Sequence, residues 1–272
     1  GAVFELPPEK LSSLDLRVPG VTVSCHADTV IDGGGEGNAI DILAEEVTFS
    51  GCDVRNWGGD LNELDAGIFV AREARGAVVE DNRLQGPAFG IWLDATKDVT
   101  VRNNTVRGDA SIRSQDRGNG IHLFNTTGAL IEGNDISQTR DAIYIETANN
   151  NEIRNNVMTD LRYGIHYMYS MHNLLEGNVT RGTRTGYALM QSKYLKVIDN
   201  RSENDENYGI LMNFITNSEL RGNVVAGVSQ GQTAGTVISG AEGKAVFIYN
   251  SLYNTFEDNI FRDSNIGIHL TA

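Results

Sequence analysis

The 272-residue sequence predicts an all-β chain wound as a right-handed parallel β-helix, a solenoid of about 22 residues per coil. Two recurrent anchors predict it. A small residue followed by an aliphatic or aromatic one returns at Gly67-Ile68, Gly90-Ile91, Gly120-Ile121, Ala142-Ile143, Gly164-Ile165, Gly186-Tyr187, Gly209-Ile210, Ala245-Val246 and Gly267-Ile268. An asparagine returns at Asn82, Asn104, Asn134, Asn156, Asn178, Asn200, Asn223 and Asn259, with spacings of 22, 30, 22, 22, 22, 23 and 36. A period near 22 with two insertions is the signature of a solenoid. Inside the period, Gly120-Ile121-His122-Leu123-Phe124 and Ala142-Ile143-Tyr144-Ile145-Glu146 alternate, which sets Ile121, Leu123, Ile143 and Ile145 on one face. No window keeps a 3.6-residue apolar rhythm long enough for a helix, which disfavours helical and leucine-rich repeats.

In chain order, the first sixty residues read as short strands at Val21-Thr22-Val23, Ile40-Asp41-Ile42 and Val47-Thr48-Phe49, separated by turns such as Asp32-Gly33-Gly34-Gly35. That glycine run is not a phosphate cradle: no Lys-Ser/Thr follows and no helix pattern opens after it. From Gly67 each coil carries three short strands, the second exemplified by Ala129-Leu130-Ile131-Glu132 and Asn151-Glu152-Ile153-Arg154 ahead of the asparagine. Equivalent residues of successive coils then stack about 4.8 Å apart. The asparagines are expected to hydrogen-bond up and down a ladder and to tolerate left-handed turn geometry. Asn-x-Ser/Thr matches at Asn125, Asn178 and Asn200 are by-products of that ladder. The insertions lie near 108–117 and 226–240, both between the asparagine and the next small-aliphatic anchor, so both are expected at one edge, as surface loops or as walls of a binding face. With 4 prolines and no Gly/Ser linker, residues 1–272 read as a single domain.

Composition narrows the function. A net charge of −14 disfavours nucleic acid, an anionic membrane and polyanionic polysaccharide as partners. No run of 18 apolar residues is present to span a membrane, and the opening Gly1-Ala2-Val3-Phe4 has no basic n-region or apolar h-region, so a signal peptide is expected to be either absent or already removed. Cys25 and Cys52 are 27 residues apart, compatible with one disulfide between adjacent coils or with two buried thiols.

Because coils stack, chemistry is read down columns. Two residues after each small anchor lies an outward column, Phe69, Trp92, His122, Tyr144, His166, Ala188, Leu211, Phe247 and His269. Two residues further lies another, Ala71, Asp94, Phe124, Glu146, Met168, Met190, Asn213, Tyr249 and Thr271. Together they make a strip holding His122, Tyr144, Glu146, His166, Met168 and Met190. Thioether and imidazole on adjacent rungs suit a soft monovalent ion such as Cu(I) and do not suit Mg²⁺ or Ca²⁺. His166, Met168 and Met190 are the chosen ligands; His122, and Met171 and His172 near the following turn, are weaker candidates. Met212 falls on an inward position. The competing account of the strip is an apolar docking face. An enzyme reading fits less well. Asp94 and Glu146 share a column across the Phe124 coil, about 10 Å apart, too far for a retaining carboxylate pair. A uronate lyase or epimerase needs a cation, which the strip does not show.

The segment Arg162-Tyr163-Gly164-Ile165-His166-Tyr167-Met168-Tyr169-Ser170 resembles the NosD family, β-helical accessory proteins of nitrous oxide reductase maturation. The likeness runs on through Asp65-Ala66-Gly67-Ile68-Phe69-Val70, Gly90-Ile91-Trp92-Leu93-Asp94, Arg117-Gly118-Asn119-Gly120-Ile121-His122-Leu123 and Gly177-Asn178-Val179-Thr180-Arg181-Gly182. It continues in Gly186-Tyr187-Ala188-Leu189-Met190, Val246-Phe247-Ile248-Tyr249-Asn250 and Gly267-Ile268-His269, and so covers nearly the whole chain. The resemblance implies a periplasmic, non-enzymatic protein that works with an ABC-type permease and ATPase. It also implies a membrane-anchored copper chaperone that hands over Cu(I), held transiently, for the copper clusters of nitrous oxide reductase. Two departures stand out. Lys244-Ala245 replaces the Lys-Cys that the family often has before Val-Phe-Ile-Tyr-Asn, and the chain stops at Ala272 on a fresh coil where further coils are expected.

Overall fold

The computed structural model describes residues 1–229 and 243–271, so the insertion near 226–240 lies, apart from its start, outside the described residues. The chain winds into a right-handed parallel β-solenoid. Among the described residues each coil lays one strand in each of three parallel sheets, and each sheet is 11 strands deep. The first coil contributes Val3–Leu6, Lys10–Leu11 and Leu14–Leu16; the last contributes Thr255–Glu257, Ile260–Arg262 and Ile266–Thr271. These define sheets 1, 2 and 3. Among the described residues the one helical element is a short 3₁₀ turn at Ser114–Asp116.

The register is the one the anchors dictate. Ile91, Ile121, Ile143, Ile165, Tyr187, Ile210 and Val246 pair in succession down sheet 3. Their side chains fill the solenoid interior and are at most 1% exposed. Met212 lies in the neighbouring inward column and is fully buried. Each such aliphatic side chain contributes roughly 2 kcal/mol by leaving water, an upper figure because unfolded chains already bury some surface.

The asparagine ladder forms as expected from its hydrogen bonding. Asn156 Nδ2 donates to Asn178 Oδ1 at 2.9 Å and to the Ile131 carbonyl at 3.0 Å, while its backbone N–H reaches the same Asn178 oxygen at 3.1 Å. Asn82, Asn104, Asn134, Asn178, Asn200 and Asn223 each pass the bond to the next rung. The left-handed geometry, however, belongs to the residue before the ladder asparagine. Positive φ falls on Asp81, Asn103, Gly133, Asn155, Gly177, Asp199, Gly222 and Asp258. The work is thus divided: an Asp, Asn or Gly turns the chain, and the buried Asn that follows saturates the backbone.

The corner between sheets 3 and 1 has two further left-handed positions per coil. In the earlier coils these hold Ala95 and Asp98, Asn125 and Gly128, then Thr147 and Asn150. Later they hold Tyr169 and His172, Gln191 and Tyr194, Phe214 and Asn217, then Asn250 and Tyr253. A bulky side chain in this conformation costs about 1 kcal/mol, which Asn and Gly largely avoid. Tyr169, Tyr194, Phe214 and Tyr253 are nonetheless exposed.

Cys25 and Cys52 are joined in a disulfide, which settles the choice left open by their spacing and ties neighbouring coils together. The loop at 108–117 leaves sheet 2 after Thr105–Arg107 and returns in sheet 3 at Ile121–Phe124. The strands flanking the second insertion, Val224–Ala226 and Lys244–Tyr249, occupy the same two sheets, so both insertions interrupt one corner. A third excursion, residues 56–65, opens at that corner between Asp53–Arg55 and Ala66–Val70. Counting asparagines misses it because Cys52 takes the rung before Asn82, its N–H bonded to Asn82 Oδ1 at 3.0 Å. Within this loop Leu61 and Leu64 pack on Ala66, Phe89 and Trp92, roofing the outer face of sheet 3 in its early coils.

Candidate functional site

The outer face of sheet 3 carries the predicted strip in the predicted register. Trp92, His122, Tyr144, His166 and Ala188 are paired rung by rung. Phe124, Glu146, Met168, Met190 and Asn213 are paired beside them. Met168 and Met190 are therefore direct neighbours on strands Tyr163–Met168 and Thr185–Met190, both partly exposed. His166 precedes Met168 by two residues and points to the same side.

The rings of the first column form a continuous run of contacts, tilted or edge-on in the early coils and stacked at Tyr144 and His166. Centroids are 4.0 Å apart for Trp92 and His122, 4.7 Å for His122 and Tyr144, and 4.4 Å for Tyr144 and His166. Stacking at one ring per rung follows from the short spacing between parallel strands. It also hides the early rings. His122 is outward by register yet only 4% exposed, because Trp92 and Phe89 press on it from the coil before and Tyr144 from the coil after. His122 is therefore outward by register but not accessible.

Two polar clusters fix the two histidines differently. Glu146 Oε2 lies 3.4 Å from His122 Nε2, a charge contact rather than a hydrogen bond, and the Asn119 side-chain amide meets Nδ1 at 3.2 Å. Burial holds the His122 imidazole below its ordinary pKa despite Glu146. Glu146 in turn is lowered by its contact with His122. His166 has the opposite arrangement. Its Nδ1–H donates to Asp141 Oδ2 at 2.9 Å, leaving Nε2 with a lone pair when the ring is neutral. Asp141, 1% exposed, also accepts from Arg162 Nε at 2.8 Å and Arg162 Nη2 at 2.6 Å. Burial opposes ionisation of Asp141, but the bonds from His166 and Arg162 outweigh it and keep the carboxyl below its usual range. Tyr144, between the clusters, is pushed up to about 12 by burial and by Glu146 and Asp141, so it is a neutral phenol.

Arg162 is the cation that column reading did not place near the strip. Its guanidinium lies 4.4 Å from the centre of the Tyr163 ring, and Tyr163 meets His166 edge-on at 5.0 Å. It is bonded to Asp141, so it is not a free neutraliser for an anionic sugar. Asp141, Arg162, Tyr163 and Asn119 were missed because they stand just before the small anchors, where strict alternation does not register them. The signal that finds them is the spacing Asp141 to Arg162, one residue short of a full coil.

Met171 and His172 do not join this cluster. They sit on the corner after the strand, where His172 stacks on Tyr194 at 4.8 Å with ring planes 11° apart. Met171 lines a shallow cleft of about 360 Å³ with Tyr169, Lys193 and Phe214. Among the described residues no three His, Cys, Asp or Glu side chains gather at metal-binding distance; a copper set on this face would be thioether and imidazole.

Known proteins give a concordant picture. Residues 103–272 match the model of a family described as periplasmic copper-binding protein (NosD), and residues 16–183 match a family of unknown function. A Pseudomonas aeruginosa protein named probable ABC transporter binding protein NosD is 55% identical over 91% of this chain. Its Stutzerimonas stutzeri counterpart, with the same name, is 52% identical over 91%. The chain spans 58% and 57% of the lengths of these relatives. Among solved structures, the family 28 exopolygalacturonase of Yersinia enterocolitica is similar with a TM-score of 0.69 at 11% identity, covering 98% of this chain and 72% of that one. The A-module of an Azotobacter vinelandii mannuronan C-5 epimerase has a TM-score of 0.61 at 12% identity, covering 96% and 88%. Such low identities reflect a shared fold alone. With its family model matched over 103–272, the chain belongs to the NosD family.

Proposed function

We propose that this β-helix is a periplasmic copper-delivery accessory protein for nitrous oxide reductase maturation. It receives Cu(I) from a membrane-anchored copper chaperone, works with an ABC-type permease and ATPase, and passes the ion to nitrous oxide reductase. The observation that carries the reading is the open stretch of sheet 3 on which Met168 and Met190 are paired neighbours and His166 shares their side. Two thioethers and an imidazole nitrogen are neutral, soft ligands, the set that Cu(I) prefers over hard divalent ions. Their partial exposure favours transfer, because ligand exchange needs an incompletely saturated ion that an incoming donor atom can reach. His166, Met168 and Met190 are assigned as the transient ligands. His122, Met171 and His172 take peripheral parts at most, the first by burial and the others by position. Anaerobic Cu(I) titration against a chelator tests this. The Met168→Ala/Met190→Ala double variant is expected to lose copper retention, and uptake equal to wild type would sink the assignment.

A second reading is a docking scaffold that binds chaperone and reductase without holding copper. The exposed rings of Tyr169, Tyr194, Phe214 and Tyr253 support it. It predicts wild-type protein that forms the complexes yet takes up no Cu(I).

A further inference from the structure

The stretch from Asp141 to His166 contains more order than a copper strip on a rigid sheet needs. A buried carboxylate is tolerated only when it is paired and hydrogen-bonded, and Asp141 at 1% exposure is satisfied by Arg162 at 2.8 and 2.6 Å. That ion pair is complete without a histidine. The Oδ2 atom nevertheless also takes the Nδ1–H of His166 at 2.9 Å, from the next coil. The imidazole is then clamped on two sides, stacked on Tyr144 at 4.4 Å and met edge-on by Tyr163 at 5.0 Å. Tyr163 itself is held by Arg162 over its ring at 4.4 Å. Arg162 thus anchors the carboxylate that chooses the tautomer and the phenol that limits the tilt of the ring.

We infer that Asp141, fixed by Arg162, is a positioning residue for the copper ligand His166: it keeps the hydrogen on Nδ1 and the lone pair on Nε2, toward the ion. The inference rests on the copper reading of the strip. Its physical basis is general: a histidine that donates its second N–H to a carboxylate is fixed in tautomer and orientation and made a better donor. His122, whose Nδ1 meets the Asn119 amide and no carboxylate, shows that the column itself does not supply this charged acceptor. The role of Arg162 is geometric. Its planar fork engages both carboxylate oxygens and prevents Asp141 from turning away from the ring or entering the ion's coordination shell.

Asp141→Asn alters this at constant shape. Whichever way the amide lies, it sets one N–H against a guanidinium N–H, and His166 loses its charged acceptor. Nitrogen-15 NMR of the copper-free full chain at mildly alkaline pH reads the tautomer directly. His166 is expected as Nδ1–H in the wild type and shifted toward Nε2–H in Asp141→Asn. Competition against a Cu(I) chelator is expected to give roughly 10- to 100-fold weaker binding in the variant. Arg162→Lys keeps the charge, loses the fork, and is expected to fall between the two. Should Asp141→Asn lose its cooperative thermal transition, Arg162→Lys carries both readouts. A His166 tautomer unmoved in the folded variants, or copper affinity within about twofold of wild type despite a moved tautomer, overturns the positioning role. A tautomer moved by Asp141→Asn, where the wild-type protein binds no Cu(I), supports the orientation of His166 by Asp141 and overturns the copper reading instead.

Discussion

His122 and His166 occupy the same column of the same sheet, two coils apart, and share almost nothing else. The first lies under the rings of Phe89 and Trp92, themselves roofed by Leu61 and Leu64 from the loop at 56–65. The second lies past that roof, with 12% of its side chain open to solvent. The first is bonded through Nδ1 to Asn119 and faces Glu146 with Nε2; the second donates from Nδ1 to Asp141. An identical backbone position therefore yields a packed, neutral core residue in one coil and an orientated donor in another. What separates them is the loop that covers one end of the face and the acid that the preceding coil offers. A repeat supplies the pegs; the departures from the repeat decide what each peg does.

Three experiments break or sharpen this contrast. The largest effect is expected from single alanine replacements at the two histidines. His122→Ala is expected to cost about 2–3 kcal/mol in chemical denaturation, because a buried ring is lost from a close stack, and to leave Cu(I) uptake close to wild type. His166→Ala is expected to show the reverse, a smaller stability loss with copper retention falling at least about tenfold. Matching profiles for the two would erase the distinction.

The second experiment uses pH. The folded His122 has a lowered pKa because burial disfavours its charged form, so below the unfolded value of about 6.5 the unfolded chain binds the extra proton. Stability is therefore full above that value and falls as the solution is acidified through it, by at most about 1.4 kcal/mol per pH unit. Thermal midpoints between pH 7.5 and 5 are expected to decline in wild type and to decline less in His122→Phe. Asp141, lowered in the folded state, adds a separate loss only below the carboxylate range, as pH drops under about 4. A flat wild-type profile from pH 7.5 to 5 would show that His122 is not held neutral.

The smallest effect concerns the corner, where the same two halves differ again. The early coils put Asp98, Gly128 and Asn150 in a left-handed slot that later coils give to His172, Tyr194, Asn217 and Tyr253. Tyr194→Asn is expected to raise stability by a few tenths of a kcal/mol to about 1, since Asn adopts this conformation readily and the exposed ring contributes little packing. A drop in the thermal midpoint would mean that the stack with His172 outweighs the backbone strain.

The fold was legible because every coil repeats the same two anchors. The Gly-Ile and Asn positions locate the sheets, and Met168 and Met190 fall into adjacency from spacing alone. The excursion at 56–65 was not legible, because Cys52 stands where the asparagine signal begins. The burial of His122 was invisible for a related reason: the roof over it comes from that loop. Asp141 and Arg162 escaped because a column is defined by alternation along one strand, while the bonds that Asp141 accepts from Arg162 and His166 cross from coil to coil at the strand's entrance. The ladder asparagines were identified correctly and half explained; their neighbours, not they, turn the chain.

The ladder also makes the protein a ruler. Each buried amide recognises the identical amide of the next coil, so the stack has no preferred starting mark and is graduated in steps of about 4.8 Å. Distance along the axis from the Cys25–Cys52 staple to His166 is a count of coils. Removing one whole period between them would slide the methionine pair a single graduation toward the staple and leave its surroundings intact. A partner that reads the strip against a second foothold on the axis would register the change as a missed fit.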